Sequence, residues 1–231
     1  MTATLQEQIV RQIRLNRIST TEIADCMDKT GLYAQARPLN RSHFRAGPVF
    51  WVYAYNESNW ELHEQLRAVP EGSIVIVDAK DCRERAIFGS LVTKYLMLYR
   101  RCEAIVTNGL MRDVPHLLKE NWPIWCAGAT PIGCFNRKNE RPVDPAWEAE
   151  RRAAFDGALA VCDDSGVVVI PKAMQNEAFL DKLAFIEEQE DIWFFCLDTL
   201  KWDTYRTVCM KDYLGDEKLA RLLNYAKEHG E

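Results

Sequence analysis

The chain has 231 residues, of which 48% are hydrophobic and 27% charged, the composition of a globular protein and not of a disordered or fibrous one. A fold of this length buries roughly 70% of its unfolded surface, so it requires neither disulfides nor a structural metal. A formal net charge of −5 with no basic block argues against a general nucleic-acid binder. Cys26, Cys82, Cys102, Cys126, Cys134, Cys162, Cys196 and Cys209 form no C-x-x-C pair, and no Cys/His set has zinc-finger spacing. They read as buried small hydrophobes of a reduced, cytoplasmic protein. No apolar run approaches the roughly 18 residues of a membrane span. The polar N-terminal stretch lacks the apolar centre of a secretory signal.

In chain order, Leu5, Ile9, Val10 and Ile13 lie at helical spacing. A second helix is expected from Ser19, where Ser19 and Glu22 form a capping-box pattern, to a stop at Gly31. VFWVYAY (49–55) reads as a strand, ELHEQLRAV (61–69) as a short helix, and IVIV (74–77) as a buried strand. Helix over 91–101, strand over 104–107, helix over 114–120 and strand over 123–126 continue the alternation, which defines an α/β domain. Residues 136–153 read as a loop leading into a short helix. Two strands, 159–162 and 167–170, flank the turn Asp163-Asp164-Ser165-Gly166 as a hairpin. Beyond Pro171, Phe179, Leu183 and Ile186 mark one helix, and Leu219, Leu222, Leu223 and Ala226 another. Between them IWFFCL (192–197) requires a partner surface. The expected organisation is therefore a domain over 1–173 and a mostly helical extension over 174–231.

Two glycine-marked turns carry the candidate chemistry. AIFGSL (86–91) runs directly into a helix, whose first amides suit a carboxylate or phosphate. NGLMRD (108–113) places Arg112 and Asp113 side by side at a strand-to-helix corner. Arg112 can bind a carboxylate with two parallel hydrogen bonds, and Asp113 can bind a hard divalent cation. Taken alone, the pair reads first as a surface ion pair satisfying its own loops.

The stretches 72–96, 104–133 and 158–173 together resemble the RraA-like family, which groups regulators of ribonuclease activity with divalent-metal class II aldolases. The N-G-x-x-R-D corner is similar to the family's D-G-x-x-R-D, and the resemblance spans residues 19 to 173. It implies a swivelling-type β/β/α core with flanking helices. It also implies a lyase that splits a 4-hydroxy-2-oxo acid or decarboxylates oxaloacetate through a metal-stabilised pyruvate enolate. The amides of Gly89, Ser90, Leu91 and Val92 would hold the substrate's carboxylate and oxo group, and Arg112 would steady its negative charge. Asp113 would be the protein ligand of Mg²⁺ or Mn²⁺. The family habit further implies a homotrimer or homohexamer with sites near subunit interfaces, and neither nucleic acid nor membrane as partner.

The sequence departs from the family pattern at several points. Ser90 and His116 stand where the aldolases carry acidic residues; His116 is read either as an outer residue positioning metal-bound water or as an exposed helix residue. Asn108 replaces the Asp of the D-G turn, both residue types tolerating a left-handed backbone. Asn59 lies where relatives carry a polar Asp-Asn pair near the pocket. His43 and His63 read as structural or exposed. The aromatic residues Phe50, Trp51, Tyr53, Tyr55 and Trp60 read as packing, or as a wall at the substrate's distal end. Two alternatives stay open beside the lyase: a non-catalytic regulator of ribonuclease activity, and a lyase or isomerase on a sugar-acid or aromatic-catabolic intermediate.

Overall fold

The computed structural model describes residues 3–216 and Leu219. The contacts divide the chain into two compact units, Met1–Asn176 and Glu177–Glu231.

The first unit begins with α1 (Leu5–Asn16), which buries Ile9 and Ile13, and α2 (Thr20–Cys26). Ser19 and Glu22 close the expected capping box on α2, with Glu22 N donating to Ser19 Oγ at 3.2 Å and Ser19 N to Glu22 Oε2 at 2.7 Å. The helix stops at Cys26, short of Gly31, because Asp28 and Lys29 take left-handed conformations with φ of 57° and 64°. Gly31, at φ 88°, passes so close to the hairpin that a Cβ would lie 2.9 Å from Val169 O.

The strands follow as β1 (Arg37–Pro38), β2 (Arg45–Tyr55), β3 (Ile74–Lys80), β4 (Ala86–Phe88), β5 (Ala104–Thr107), β6 (Leu110–Met111), β7 (Ile124–Cys126), β8 (Gly128–Ala129), β9 (Leu159–Asp163) and β10 (Gly166–Ile170). Between them lie α3 (Trp60–Gln65), α4 (Ser90–Lys94), α5 (Val114–Glu120) and α6 (Pro145–Phe155). The main sheet has the order β1-β7-β5-β3-β2-β9-β10, with β2, β3, β5 and β7 parallel. Its two edges nearly meet. Tyr33 N donates to Val167 O on β10, and a few residues on Arg37 and Pro38 pair with Cys126 and Trp125 on β7. Alternate residues of β3 feed two cores. Val75 and Val77 pack with Leu62, Leu96 and Leu117 under the helices, whereas Ile74 and Ile76 pack with Val106, Trp125 and Phe155 on the other face. That double burial explains the unbroken apolar run.

The expected strands are present, with β2 beginning four residues before 49 and β3 running three past 77. The short strands β1, β4, β6 and β8 are additions, the last three forming a second parallel sheet in the order β4-β6-β8. Each has two or three residues, too few for a periodic pattern to register. The helix expected over 91–101 is instead α4 followed by a π-helical turn at Tyr95–Tyr99. Asn108 is absent from the left-handed residues; its side chain works differently, Oδ1 accepting from Ala79 N at 2.7 Å and tying the ends of β3 and β5 together.

In the second unit, α7 (Glu177–Asp198) is a single helix of 22 residues, so IWFFCL lies within its C-terminal half. Ile192 and Cys196 of that half join Tyr213 and Leu219 in a small core. Of the helix expected around Leu219, the residues Leu222, Leu223 and Ala226 lie outside the described ones. Among the described residues no helix is long and apolar enough to cross a membrane. The cysteines from Cys26 to Cys196 are buried and form no disulfide, and Cys209 is exposed.

Candidate active site

The carboxyl ends of β3 and β5 deliver two loops to one place. After β3 the chain turns through Asp81 and Arg83, both left-handed, into β4 and then Gly89 and α4. After β5 it passes Asn108 and Gly109 into β6, Arg112, Asp113 and α5. Gly109 is needed for this approach, since a Cβ there would meet the Ala79 Cβ at 2.7 Å. Pairing of β4 with β6 sets Phe88 opposite Met111, and Arg112 N donates to Phe88 O at 3.1 Å. Gly89 is thereby laid against the Arg112-Asp113 corner. A Cβ on Gly89 would lie 2.7 Å from Arg112 Cγ and collide with the Asp113 carboxylate.

Asp113 occupies the cap position before α5 in a left-handed conformation, φ 61° and ψ 28°, and its side chain does not cap the helix. A non-glycine residue held there is uncommon, and such strain collects at functional corners. Its Oδ2 accepts from Ser90 N at 3.0 Å and Ser90 Oγ at 3.1 Å, leaving Oδ1 without a hydrogen bond among the described residues. The Arg112 guanidinium lies 3.9 Å from the same carboxylate and has no hydrogen-bond acceptor among the described residues. Both side chains are open to solvent, at 50% for Arg112 and 42% for Asp113. From the far side, Gly133 closes on the guanidinium, where a Cβ would come within 2.6 Å of Nη1. Arg85 holds that loop, donating from Nη1 to Gly133 O at 3.1 Å and from Nε to Glu57 Oε1 at 3.0 Å.

These residues enclose a cleft of about 90 Å³ lined by Gly89, Leu91, Val92, Arg112, Asp113 and Asn59 among others. The structure therefore brings together Asn59, Gly89, Leu91, Val92, Arg112 and Asp113, with Ser90 bonded to Asp113 at the edge. It does not bring His116 there. That residue faces solvent on α5, 3.6 Å from Glu120 one turn on. Nor do the β2 aromatics line the cleft. Trp51 stacks on Phe155 at 6.2 Å, and Tyr53 meets Trp147 edge-on at 5.6 Å, so they pack against α6.

Sequence reasoning missed His63, Cys134 and Asn136, which also line the cleft. The signal for His63 was its spacing of four from Asn59, one helical turn on from the residue that precedes α3. Burial alone holds the His63 imidazole below its ordinary range. The neighbouring Cys134 thiol, reinforced by burial, pushes the Cys82 thiol up.

The chain belongs to the RraA-like family: the family model described as Aldolase/RraA matches residues 20–169. A relative from Halalkalibacterium halodurans, provisionally named 4-hydroxy-4-methyl-2-oxoglutarate aldolase, is 30% identical over 169 residues, which is 71% of this chain and 78% of that protein. Two solved structures share the fold. A protein from Pseudomonas syringae pv. tomato superposes with a TM-score of 0.64 at 20% identity, covering 83% of this chain and 89% of its own. Streptomyces coelicolor RraAS2, described as an unusual member of the RNase ES inhibitor RraA family, superposes with a TM-score of 0.61 at 24% identity, covering 80% and 96%.

Proposed function

We propose that this chain is a divalent-metal-dependent carbon–carbon lyase acting on a small 2-oxo acid, by retro-aldol cleavage of a 4-hydroxy-2-oxo acid, decarboxylation of oxaloacetate, or both. The observation that carries the reading is the corner itself. An uncommitted guanidinium and a carboxylate released from capping face one cleft, against a glycine that leaves them room. A metal fits these residues. Asp113 offers a carboxylate oxygen with no hydrogen bond, and among the described residues no group of three or more His, Cys, Asp or Glu could hold an ion. One carboxylate with water and substrate completing the shell suits Mg²⁺ or Mn²⁺, which retain several waters.

In this reading Asp113 holds the cation. When bound, the cation supplies positive charge beside the carboxylate and 2-oxo oxygen of the substrate and lowers the energy of the charge developing there. Arg112 binds the same end of the substrate and stabilises that charge from the protein side. The first amides of α4, at Gly89 to Val92, orient the carboxylate. Ser90 N and Oγ hold Asp113 in place before ligand arrives. His116, which does not line the cleft, would act on the site only through intervening water. We further propose that 1–173 is the catalytic domain, 174–231 an appended extension, and the protein a cytoplasmic homotrimer or homohexamer. Leu91 and Tyr99, 82% and 73% exposed, line one groove with Val92 and Tyr95 beside the cleft, and such an apolar patch supports the oligomer because it gains from a cover.

The test is pyruvate release from oxaloacetate and from 4-hydroxy-4-methyl-2-oxoglutarate with Mg²⁺, Mn²⁺ or EDTA, on wild type and Asp113→Ala. Turnover that needs metal and is lost in the variant is the expected result. Turnover of neither compound sinks the reading, and ribonuclease inhibition in its place would establish the regulator.

A further inference from the structure

Asn59 is 7% exposed and lies just before α3, yet its side chain makes no cap. Its Nδ2 donates to Ile87 O at 2.7 Å, which fixes the amide's orientation, and its Oδ1 is a buried acceptor with no partner. Buried polar atoms are satisfied as a rule, so an orphan on a residue that lines a cleft marks a place for a ligand's donor, reached by a small shift of the groups that cover it. The cleft is the one that Arg112 and Asp113 line.

The chemistry of the two substrate types differs at this point. At neutral pH the carboxylates and ketone of oxaloacetate offer acceptors alone, which Arg112, the α4 amides and a cation can match but Asn59 Oδ1 cannot. A 4-hydroxy-2-oxo acid adds one donor, the hydroxyl on C4. We propose that Asn59 is a specificity-determining residue whose Oδ1 accepts a hydrogen bond from the C4 hydroxyl, so that the site favours hydroxylated 2-oxo acids over those lacking that group. This inference rests on the lyase reading above and sharpens its substrate class. A cleft that hydrogen-bonds a substrate hydroxyl discriminates against the analogue without it, because that analogue leaves the protein's polar atom unpaired.

The experiment compares two acids that differ in that hydroxyl alone. With Mg²⁺ present, 2-oxoglutarate and 4-hydroxy-2-oxoglutarate are measured as competitors of oxaloacetate decarboxylation in the full-length wild-type protein. Pyruvate formed from the hydroxy acid is read separately. The expected result is tighter binding of the hydroxy acid by about tenfold or more. In Asn59→Leu the preference should shrink to within about twofold, and Asn59→Asp, which keeps an acceptor, should retain more of it. The wild-type comparison stands even if a variant fails to fold. Equal affinity for the two acids in a wild type that releases pyruvate overturns this inference and leaves the lyase reading standing, since a water would then satisfy Asn59. Decarboxylation of oxaloacetate with no turnover or binding of the hydroxy acid overturns it in the same way. A wild type that acts on none of these acids overturns both.

Discussion

At Gly89 a single methyl group decides whether the site can exist. Alanine there would drive its Cβ into Arg112 Cγ and the Asp113 carboxylate while leaving the buried cores untouched. The backbone φ of −146° is open to any residue, so the requirement is space and not conformation. Gly89→Ala is therefore expected to lower pyruvate release by about 10²-fold, the effect of displacing reacting groups by an ångström, with a much smaller change in melting temperature. Equal losses of fold and activity would contradict this. His63 gives a second test at the same scale. Burial disfavours its charged form, so the folded-state midpoint lies below the ordinary 6.5. The unfolded chain then binds the proton more readily, and this residue opposes folding increasingly as pH falls below that value. An NMR titration of the ring should place its midpoint under 6.5, and His63→Gln should lose less stability than wild type on acidification. The residues of the corner were legible because Gly, Arg and Asp types announce their chemistry. Their availability was not, since nothing in NGLMRD says that Asp113 declines to cap α5 or that Arg112 lacks an acceptor.

Elements meet at Asp78, the buried carboxylate near the end of β3. It accepts from Tyr33 Oη at 2.6 Å, from Trp51 Nε1 on β2 at 2.8 Å and from Arg151 Nε on α6 at 2.7 Å. One charge thus pins a loop, two strands and a helix behind the site. Removing its counter-charge with Arg151→Met should cost about 3 kcal/mol, because it strands a buried anion. Tyr33→Phe should cost about 1 kcal/mol, the loss of one hydrogen bond with three others to Asp78 remaining. Desolvation, reinforced by the Asp78 carboxylate, raises the Tyr33 phenol well above its usual 10. A group whose folded-state pKa is raised contributes stability that is complete below the unfolded value and declines as pH climbs past it. Denaturant melts above pH 10 should therefore show wild type losing stability in a way that Tyr33→Phe does not. None of this network was visible in the sequence. Asp78 reads there as a polar end to IVIV, and its partners lie 27 to 73 residues away.

For the molecule as a whole, the proposed assembly is the next quantity to fix. Sedimentation equilibrium is expected to give three or six times the chain mass of 26.7 kDa. A monomer that still releases pyruvate would remove the oligomer from the proposal and leave the cleft complete within one chain. Leu91→Glu, which charges the exposed apolar residue beside the cleft, should weaken any such assembly measurably, since burying an unpaired carboxylate costs far more than the leucine's contact contributed.

By itself the sequence determined the α/β class, most of the larger elements and the residue types at 89, 112 and 113 on which the proposed chemistry rests. Those follow from local physics: helical and buried-strand periodicity, a capping box, and glycine beside charged residues at the ends of strands. Only the tertiary structure decided that residues 89 and 113 are neighbours, because the pairing of β4 with β6 joins them and strands of two or three residues leave no periodic trace. It alone turned Trp51 and Tyr53 of β2 toward α6, left His116 in solvent with Glu120, and brought Asn59 and His63 to the cleft. A residue's type states what it can bond; which atoms lie within bonding reach depends on contacts between segments far apart in the chain.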